Sequence, residues 1–119
     1  MNIEEARDYC LSQKGATEDF PFDDVSLVIK VGGKMFALIP LDAEEKRIAL
    51  KCDPEFAIEL REKYAAVRPA FHFNKKHWND VFFDGSVSGK NIKKWIDHSY
   101  EMVLKGISKK MREQILFKT

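Results

Sequence analysis

One stretch of twelve residues, 67–78, holds most of the side chains that could do chemistry. It reads Val-Arg-Pro-Ala-Phe-His-Phe-Asn-Lys-Lys-His-Trp and contains three cations, two of the three histidines and one of the two tryptophans. Cationic groups bind phosphate, and an aromatic ring stacks on an exposed base. The mixture is too polar for a buried strand and too aromatic for an ordinary solvated loop. It predicts either a binding site or a strand–turn–strand corner with specific partners.

The first interpretation is a nucleic-acid or anion site that includes the first turns of the last long predicted helix. Its basic residues would contact phosphate, its histidines would order the corner, and two hairpin turns, Gly32-Gly33 and 74–77, would act as wings. The candidate residues are Arg68, His72, Lys75, Lys76, His77, Trp78, Lys90 and Lys94. The formal net charge of +1 and the lack of a recognisable DNA-binding motif weigh against a duplex binder.

The same residues also have a purely structural interpretation. Arg68 would brace carbonyl groups at a helix exit, and Asn74 would hold the turn through an Asx-type bond. His72 and His77 would hydrogen-bond neighbouring loops, and Trp78 would pack beside the core. The sequence favours this interpretation for Trp78 and Asn74 and leaves the cations open.

Other chemistries find less support. Cys10 and Cys52 lie on apolar faces of predicted elements, where cysteines are usually buried and inert. His72 and His77 have no evident third ligand for a metal. No nucleophile elbow or phosphate loop occurs, so we expect a binding protein with no catalytic residues, no metal and no cofactor.

A protein-interaction module is the alternative function. An open sheet face binds a peptide or a second copy of the chain when it exposes apolar surface. The phenylalanines expected to contribute are Phe36, Phe71, Phe73, Phe82 and Phe83. Possible partners are therefore DNA, another protein or the chain itself.

Size and composition describe a globular protein. At 119 residues with 45% hydrophobic and 33% charged residues, the chain forms one domain, 1–119, with a core of its own. The N-terminus lacks a signal-peptide pattern and no apolar run is long enough to span a bilayer, so we expect a cytoplasmic location and no membrane contact.

The charges are unevenly distributed along the chain. Residues 1–24 contain two basic and seven acidic residues, whereas residues 68–119 contain eleven basic and five acidic residues. Such polarity would steer an anionic partner to the second half. The simpler interpretation is that both blocks are solvated helix faces.

The elements that position these residues follow from periodicity and capping signals. Helices are predicted after Asn2, Asp53 and Ser88, residue types that cap helix N-termini, and a short basic helix after Ser108. Gly32-Gly33 supplies the positive φ of a two-residue hairpin turn. The predicted strands are 25–31, 34–41, 47–52, 71–73 and 78–83, with 17–24 as an acidic connector. The order α-β-β-β-α-β-β-α, plus the terminal helix, predicts a two-layer α+β fold with helices on one face of a five-stranded antiparallel sheet.

Several motifs in this order resemble those of the MmcQ/YjbR family of small bacterial proteins, over about residues 5–113. The matching motifs are Phe20-Pro21-Phe22, Val31–Ala37, Leu50–Pro54, Val67-Arg68-Pro69 with His72, Asn74–Trp78, Asp84-Gly85-Ser86 and Asp97–Tyr100. Asp23 and Phe73 depart from the pattern, since relatives commonly have glycine and leucine there. The resemblance implies a fold similar to secretion chaperones and frataxin-like domains, and a proposed role in binding DNA. It brings no established activity, and the fold likeness transfers no iron chemistry.

Overall fold

The computed structural model describes residues 1–117, which form four helices and six strands. The helices are α1 (Ile3–Leu11), α2 (Pro54–Lys63), α3 (Gly89–Lys105) and α4 (Lys109–Phe117). The strands are β1 (Thr17–Asp19), β2 (Ser26–Val31), β3 (Lys34–Pro40), β4 (Arg47–Lys51), β5 (Val67–Pro69) and β6 (Trp78–Phe82). Of the predicted 1–119 domain, Lys118 and Thr119 lie outside the described residues.

The strands form one antiparallel sheet in the order β1-β2-β3-β4-β6-β5. This confirms the α+β class, but the prediction of five strands was wrong because the sheet has six. The additional strand, β1, lies in the segment predicted as a connector. Its three residues carry no apolar alternation, and pairing with β2 together with the Arg7–Glu18 ion pair holds it in place.

The predicted strand 71–73 was also wrong. The strand is β5, which precedes that segment, with Val67 opposite Val81 and Pro69 opposite Asn79. Val67 is buried, whereas Phe71 and His72 are exposed. Burial against the helices therefore selects Val67 for the sheet, and residues 70–77 form a loop between β5 and β6.

Helix starts agree with the capping signals. The Asn2 side chain accepts a hydrogen bond from the backbone N–H of Glu5 at 2.8 Å. Asp53 caps α2 by accepting from Glu55 and Phe56, and Ser88 caps α3 by accepting from Asn91. These bonds satisfy amides that have no partner within their helix.

The core lies between the helices and one face of the sheet. The apolar faces of α1, α2 and α3 pack on alternate strand residues in a single cluster that includes Ile29, Ile48 and Ile96. The buried Ser99 hydroxyl donates to the Phe36 carbonyl and accepts from the Lys51 N–H, which ties α3 to β3 and β4. Within residues 1–117, the other sheet face has no helix on it.

The two ends of the sheet carry different loops. The β2–β3 turn, with φ of 59° at Gly32 and 79° at Gly33, lies at one end. The 70–77 loop begins from the same end, since Lys51 pairs with Trp78 and the Cys52 N–H donates to the His77 carbonyl. The 20–25, 41–46 and 83–88 loops lie at the opposite end. Among residues 1–117, no helix combines the length and apolar character needed to cross a membrane.

Candidate functional site

The 70–77 loop folds back over the helix-free face of the sheet. The Phe73 ring stacks on Trp78 with ring centroids 5.0 Å apart. The backbone N–H of Phe71 and the His72 side chain lie near the Asp80 carboxylate. The aromatic residues of this segment are therefore a wall on the open face rather than a strand in the sheet.

Arg61, on α2, holds this loop in place through hydrogen bonds from the helix side of the sheet. Its guanidinium donates to Asn79 Oδ1 at 2.6 Å and to the backbone carbonyls of Lys75 and Trp78. This is the role that the sequence suggested for Arg68. The predicted Asx-type bond of Asn74 is confirmed, since its Oδ1 accepts from the Lys76 N–H at 3.0 Å.

Arg68 lies on the helix-free face at the β5 edge. Its guanidinium carbon is 4.4 Å from the centroid of the Phe82 ring, and its Nη1 is 3.8 Å from a carboxylate oxygen of Glu45. Lys75 Nζ lies 5.7 Å from the Phe71 ring centroid. Lys75 and Lys76 are exposed, and His77 is half-buried.

Lys90 and Lys94 lie elsewhere. They are exposed on the side of α3 opposite the buried Ile92 and Ile96, and they line a shallow depression with Glu5. The sheet and the helix layer separate them from the 70–77 loop. The structure therefore divides the eight candidate residues into two groups: six at the β5–β6 hairpin and two on the outer face of the helices.

A groove of about 840 Å³ lies on the helix-free face. Its floor comes from β2, β3, β4 and β6, and its walls come from the 20–25, 41–46 and 70–77 loops. The lining residues are Phe22, Asp23, Val25, Ser26, Leu38, Pro40, Asp42, Ala43, Glu44, Glu45, Arg47, Ala49, His72, Phe73 and Asp80. Only His72 of the eight candidate residues lies in this set.

The rim of the groove is apolar in some places and acidic in others. Phe22, which lines the groove, is 68% exposed, which is unusual for phenylalanine. Four exposed acids also line it, namely Asp23, Asp42, Glu44 and Glu45. Asp23, one of the two departures from the family pattern, also holds its own loop by accepting from the N–H groups of Val25 and Ser26.

A charged pair lies on the floor of the groove. Arg47 Nε is 3.7 Å from Asp80 Oδ2, and the two side chains are only 23% and 10% exposed. Burial raises the pKa of Asp80, although the Arg47 charge, the Phe71 N–H and His72 all act to lower it. The helix-free face therefore contains a carboxylate and a guanidinium that are poorly solvated but reachable from the groove.

Arg47, Asp80 and Phe22 are not among the residues that the sequence predicts for the site. Only the pairing of β4 with β6 places Arg47 beside Asp80. One signal could have identified Asp80. It is an acidic residue within a predicted strand, 78–83, whose other residues are mostly apolar or aromatic.

The remaining reactive groups have structural surroundings. Cys10 and Cys52 are buried, and burial raises the pKa of each thiol to about 12, so neither is a thiolate at neutral pH. Burial lowers the pKa of His98, whose Nε2 accepts from the Asp53 N–H at 3.1 Å. Within residues 1–117, no three His, Cys, Asp or Glu side chains gather in a way that would hold a metal ion.

Comparison with known proteins adds a family to this geometry. The family model described as YjbR matches residues 11–102, more than three-quarters of the chain. The chain belongs to the YjbR family. The resemblance seen in its motifs is thereby confirmed, and most of the groove lies within the matched range.

Relatives of the YjbR family match along most of their length. The uncharacterised protein YjbR of Escherichia coli K12 is 32% identical over 116 residues, covering 98% of both chains. The uncharacterised protein YbdF of Escherichia coli O157:H7 is 30% identical over 96 residues, covering 81% of this chain and 79% of its own.

Two solved structures share the YjbR-family fold. The crystal structure of Deinococcus radiodurans protein DR2400, with a DUF419 domain, superposes with a TM-score of 0.89 at 36% identity and covers 96% of this chain and 87% of its own. A Pseudomonas syringae protein superposes with a TM-score of 0.73 at 27% identity, covering 86% of this chain and 98% of its own.

Proposed function

We propose that this YjbR-family domain is a binding module that takes an extended, basic and apolar segment of a partner protein on the helix-free face of its sheet. One observation carries the proposal: the groove there is lined by the exposed Phe22 and the half-buried Phe73 and has an acidic rim. Exposed apolar surface at a groove marks a site of interaction with a partner.

The size of the groove suits a peptide segment. Its volume of about 840 Å³ lies in the upper part of the range of small-molecule pockets, about 300–1,000 Å³, and leaves room for several side chains of a peptide. Leu38 and Pro40 give the floor an apolar surface, and Phe22 and Phe73 stand at opposite walls. Aromatic walls of this kind bury an aliphatic or aromatic side chain between them.

The charge at the rim determines the kind of segment. Asp23, Asp42, Glu44 and Glu45 place four carboxylates around the opening, of which Glu45 lies near Arg68, and Arg47 lies below them on the floor. Acidic rims attract lysine and arginine side chains and repel the phosphates of nucleic acid. The groove therefore favours a peptide over DNA.

The partner would lie across the face rather than extend the sheet. The outermost strands, β1 and β5, have three residues each, and β5 contains Pro69, which has no N–H to donate. Short edges and edge proline prevent pairing with a further strand. The open face is therefore the part of the sheet that remains for a partner.

The test is selection of random octapeptides on the immobilised protein. We expect the selected sequences to be enriched in Lys or Arg next to Phe, Leu or Ile. A selected peptide should bind Asp42→Lys/Glu44→Lys at least tenfold more weakly, measured by fluorescence anisotropy, because the rim charge is reversed. Glu59→Lys/Glu62→Lys, the same charge change on α2, should alter affinity less than twofold. Equal effects of both variants, or no basic enrichment, would refute the proposal.

Nucleic-acid binding at the opposite end of the sheet is a second candidate. It is favoured by the position of the two predicted wings at the same end of the sheet, where the exposed Lys34, Lys75 and Lys76 and the half-buried Lys51 also lie. Clustered lysines at one end neutralise phosphates without reading bases.

A mobility-shift titration at low salt tests this candidate. Lys75→Glu/Lys76→Glu should abolish a shift that Lys90→Glu/Lys94→Glu leaves intact, because only the first pair lies at the loop. A shift lost equally in both variants would point to non-specific attraction by the total charge.

A further inference from the structure

We infer that Arg47 and Asp80 bind the main chain of the bound segment through hydrogen bonds, with Arg47 donating to a peptide carbonyl and Asp80 accepting from a peptide N–H. This inference rests on the proposed function and names the chemical group that the floor of the groove recognises. The acidic rim would then select side chains, and the pair would hold the backbone of any extended segment.

The two residues are placed side by side by the sheet itself. Asp80 lies opposite Ala49, and Arg47 lies opposite Phe82, so the pair is diagonal across β4 and β6. Arg47, Ala49, Asp80 and Phe82 all belong to the helix-free face. The rigid ladder between these strands fixes the spacing between donor and acceptor, which preorganises them for a ligand.

Arg47 has donors that the fold does not use. The guanidinium has five N–H donors, and its closest acidic oxygen, on Asp80, is 3.7 Å away, which is beyond hydrogen-bond length. In the part of the chain that the structure describes, no hydrogen bond from the Arg47 side chain to another protein group is formed. Since the side chain is 23% exposed and lines the groove, these donors face the space that a ligand would occupy.

Asp80 lies where the backbone of the 70–77 loop crosses the same sheet face, with the Phe71 N–H close to its carboxylate. A carboxylate has two oxygens with about four acceptor sites, so Asp80 has the capacity to accept an N–H from a ligand.

A side-by-side donor and acceptor match the backbone of one extended residue. In a strand, the N–H and C=O of the same residue point to the same side, and antiparallel partners exchange both bonds. A ligand residue above the pair would donate its N–H to Asp80 and accept at its C=O from Arg47. These bonds would also satisfy two charged groups that are poorly solvated in the free protein.

The experiment is an N-methyl scan of an octapeptide selected as above, measured by titration calorimetry on the full chain. One internal N-methyl group should weaken binding to the wild type at least tenfold, and the same group should change affinity less than threefold in Asp80→Leu. Arg47→Met should weaken the unmodified peptide about tenfold. Lys30→Met is the matched control, because Lys30 pairs with Asp19 on the same sheet face outside the groove; it should bind normally.

Each outcome is decisive. Thermal unfolding establishes that the variants fold, and the scan on the wild type stands even where Asp80→Leu does not fold. Uniform tolerance of N-methyl groups, or normal binding by Arg47→Met, would overturn the inference while leaving the proposed groove in place. Failure to select any peptide would overturn both.

Discussion

Asp80 and His98 show how burial acts in opposite directions on an acid and a base. Desolvation raises the pKa of Asp80 and lowers the pKa of His98, so in both cases the neutral form is favoured. Asp80 faces the groove, whereas His98 lies over the start of α2, where its ring packs edge-on against Phe56 with centroids 5.0 Å apart. Asp80 is therefore accessible from the groove, whereas His98 stabilises the fold.

We predict that His98 makes the domain less stable as the pH falls below about 6.5, the pKa of an unperturbed histidine. Because the folded-state pKa is lowered, the unfolded chain binds the proton first, and stability decreases as the pH falls from 6.5 through the lower folded pKa. Protonation also removes the acceptor for the Asp53 N–H.

Urea unfolding of wild type and His98→Gln at pH 7.5 and pH 5.5 measures this effect. The wild type should lose more free energy of unfolding between these two pH values than the variant does. Identical losses in the two proteins would show that His98 is not the group that titrates.

The Arg47–Asp80 pair on the floor of the groove is a contact that the sequence does not predict. Arg47 and Asp80 are far apart in the chain, and each reads as an ordinary strand residue. Their proximity depends on β4 pairing with β6 rather than with β5, a non-local choice. Local chemistry was predictable where partners are close in sequence, as for the Asn74 turn and the Asp53 cap.

Among the elements, α2 and β6 are connected by the hydrogen bonds of the Arg61 side chain, which a single substitution would remove. Arg61 reaches from the last turn of α2 to Asn79, whose amide in turn donates to the Ala57 carbonyl at 3.4 Å. Asn79 is 2% exposed, so it depends on these partners for its hydrogen bonds.

Replacing Arg61 with Met should destabilise the domain by about 1–3 kcal/mol, because the buried Asn79 oxygen and two loop carbonyls lose their donor. Amides of residues 70–77 should exchange with deuterium faster than in the wild type. Lys63→Met on the same helix turn, where the side chain is exposed, should change stability by less than about 0.5 kcal/mol. Unchanged exchange in the loop would contradict the role of Arg61 as its brace.

Element prediction succeeded where the signal is contained in the element. The ends of the helices follow from caps, and the β2–β3 hairpin follows from two glycines. It failed for β1 and β5, whose three residues each are strands only because a neighbour is present. The aromatic run at 71–73 has strand propensity, but it lies across the sheet face instead, where Phe73 stacks on Trp78.

At the scale of the whole molecule, the fold rearranges the charge gradient of the chain. The acidic loops at 20–25 and 41–46 meet at one end of the sheet, and the lysines of the 70–77 loop and the β2–β3 hairpin meet at the other. The sequence indicated an acidic first block and a basic second block, but Lys90 and Lys94 show that the basic block is not one surface.

This arrangement predicts salt-dependent binding of a basic peptide. Raising the ionic strength from 0.05 to 0.5 M should weaken the selected octapeptide several-fold, because the Debye length falls from about 14 Å to about 4 Å. Asp42→Lys/Glu44→Lys should lose most of that dependence. A salt response unchanged in this variant would place the attraction elsewhere on the surface.

The most direct test of the account is amide chemical-shift mapping of the selected octapeptide on the isotopically labelled protein. If the helix-free face is the binding surface, the largest shifts should belong to Ser26, Leu38, Ala49, Asp80 and the 70–77 loop. Amides around Lys90 and Lys94 on α3 should remain unchanged. Largest shifts on α1 and α3, with the groove residues unmoved, would contradict it.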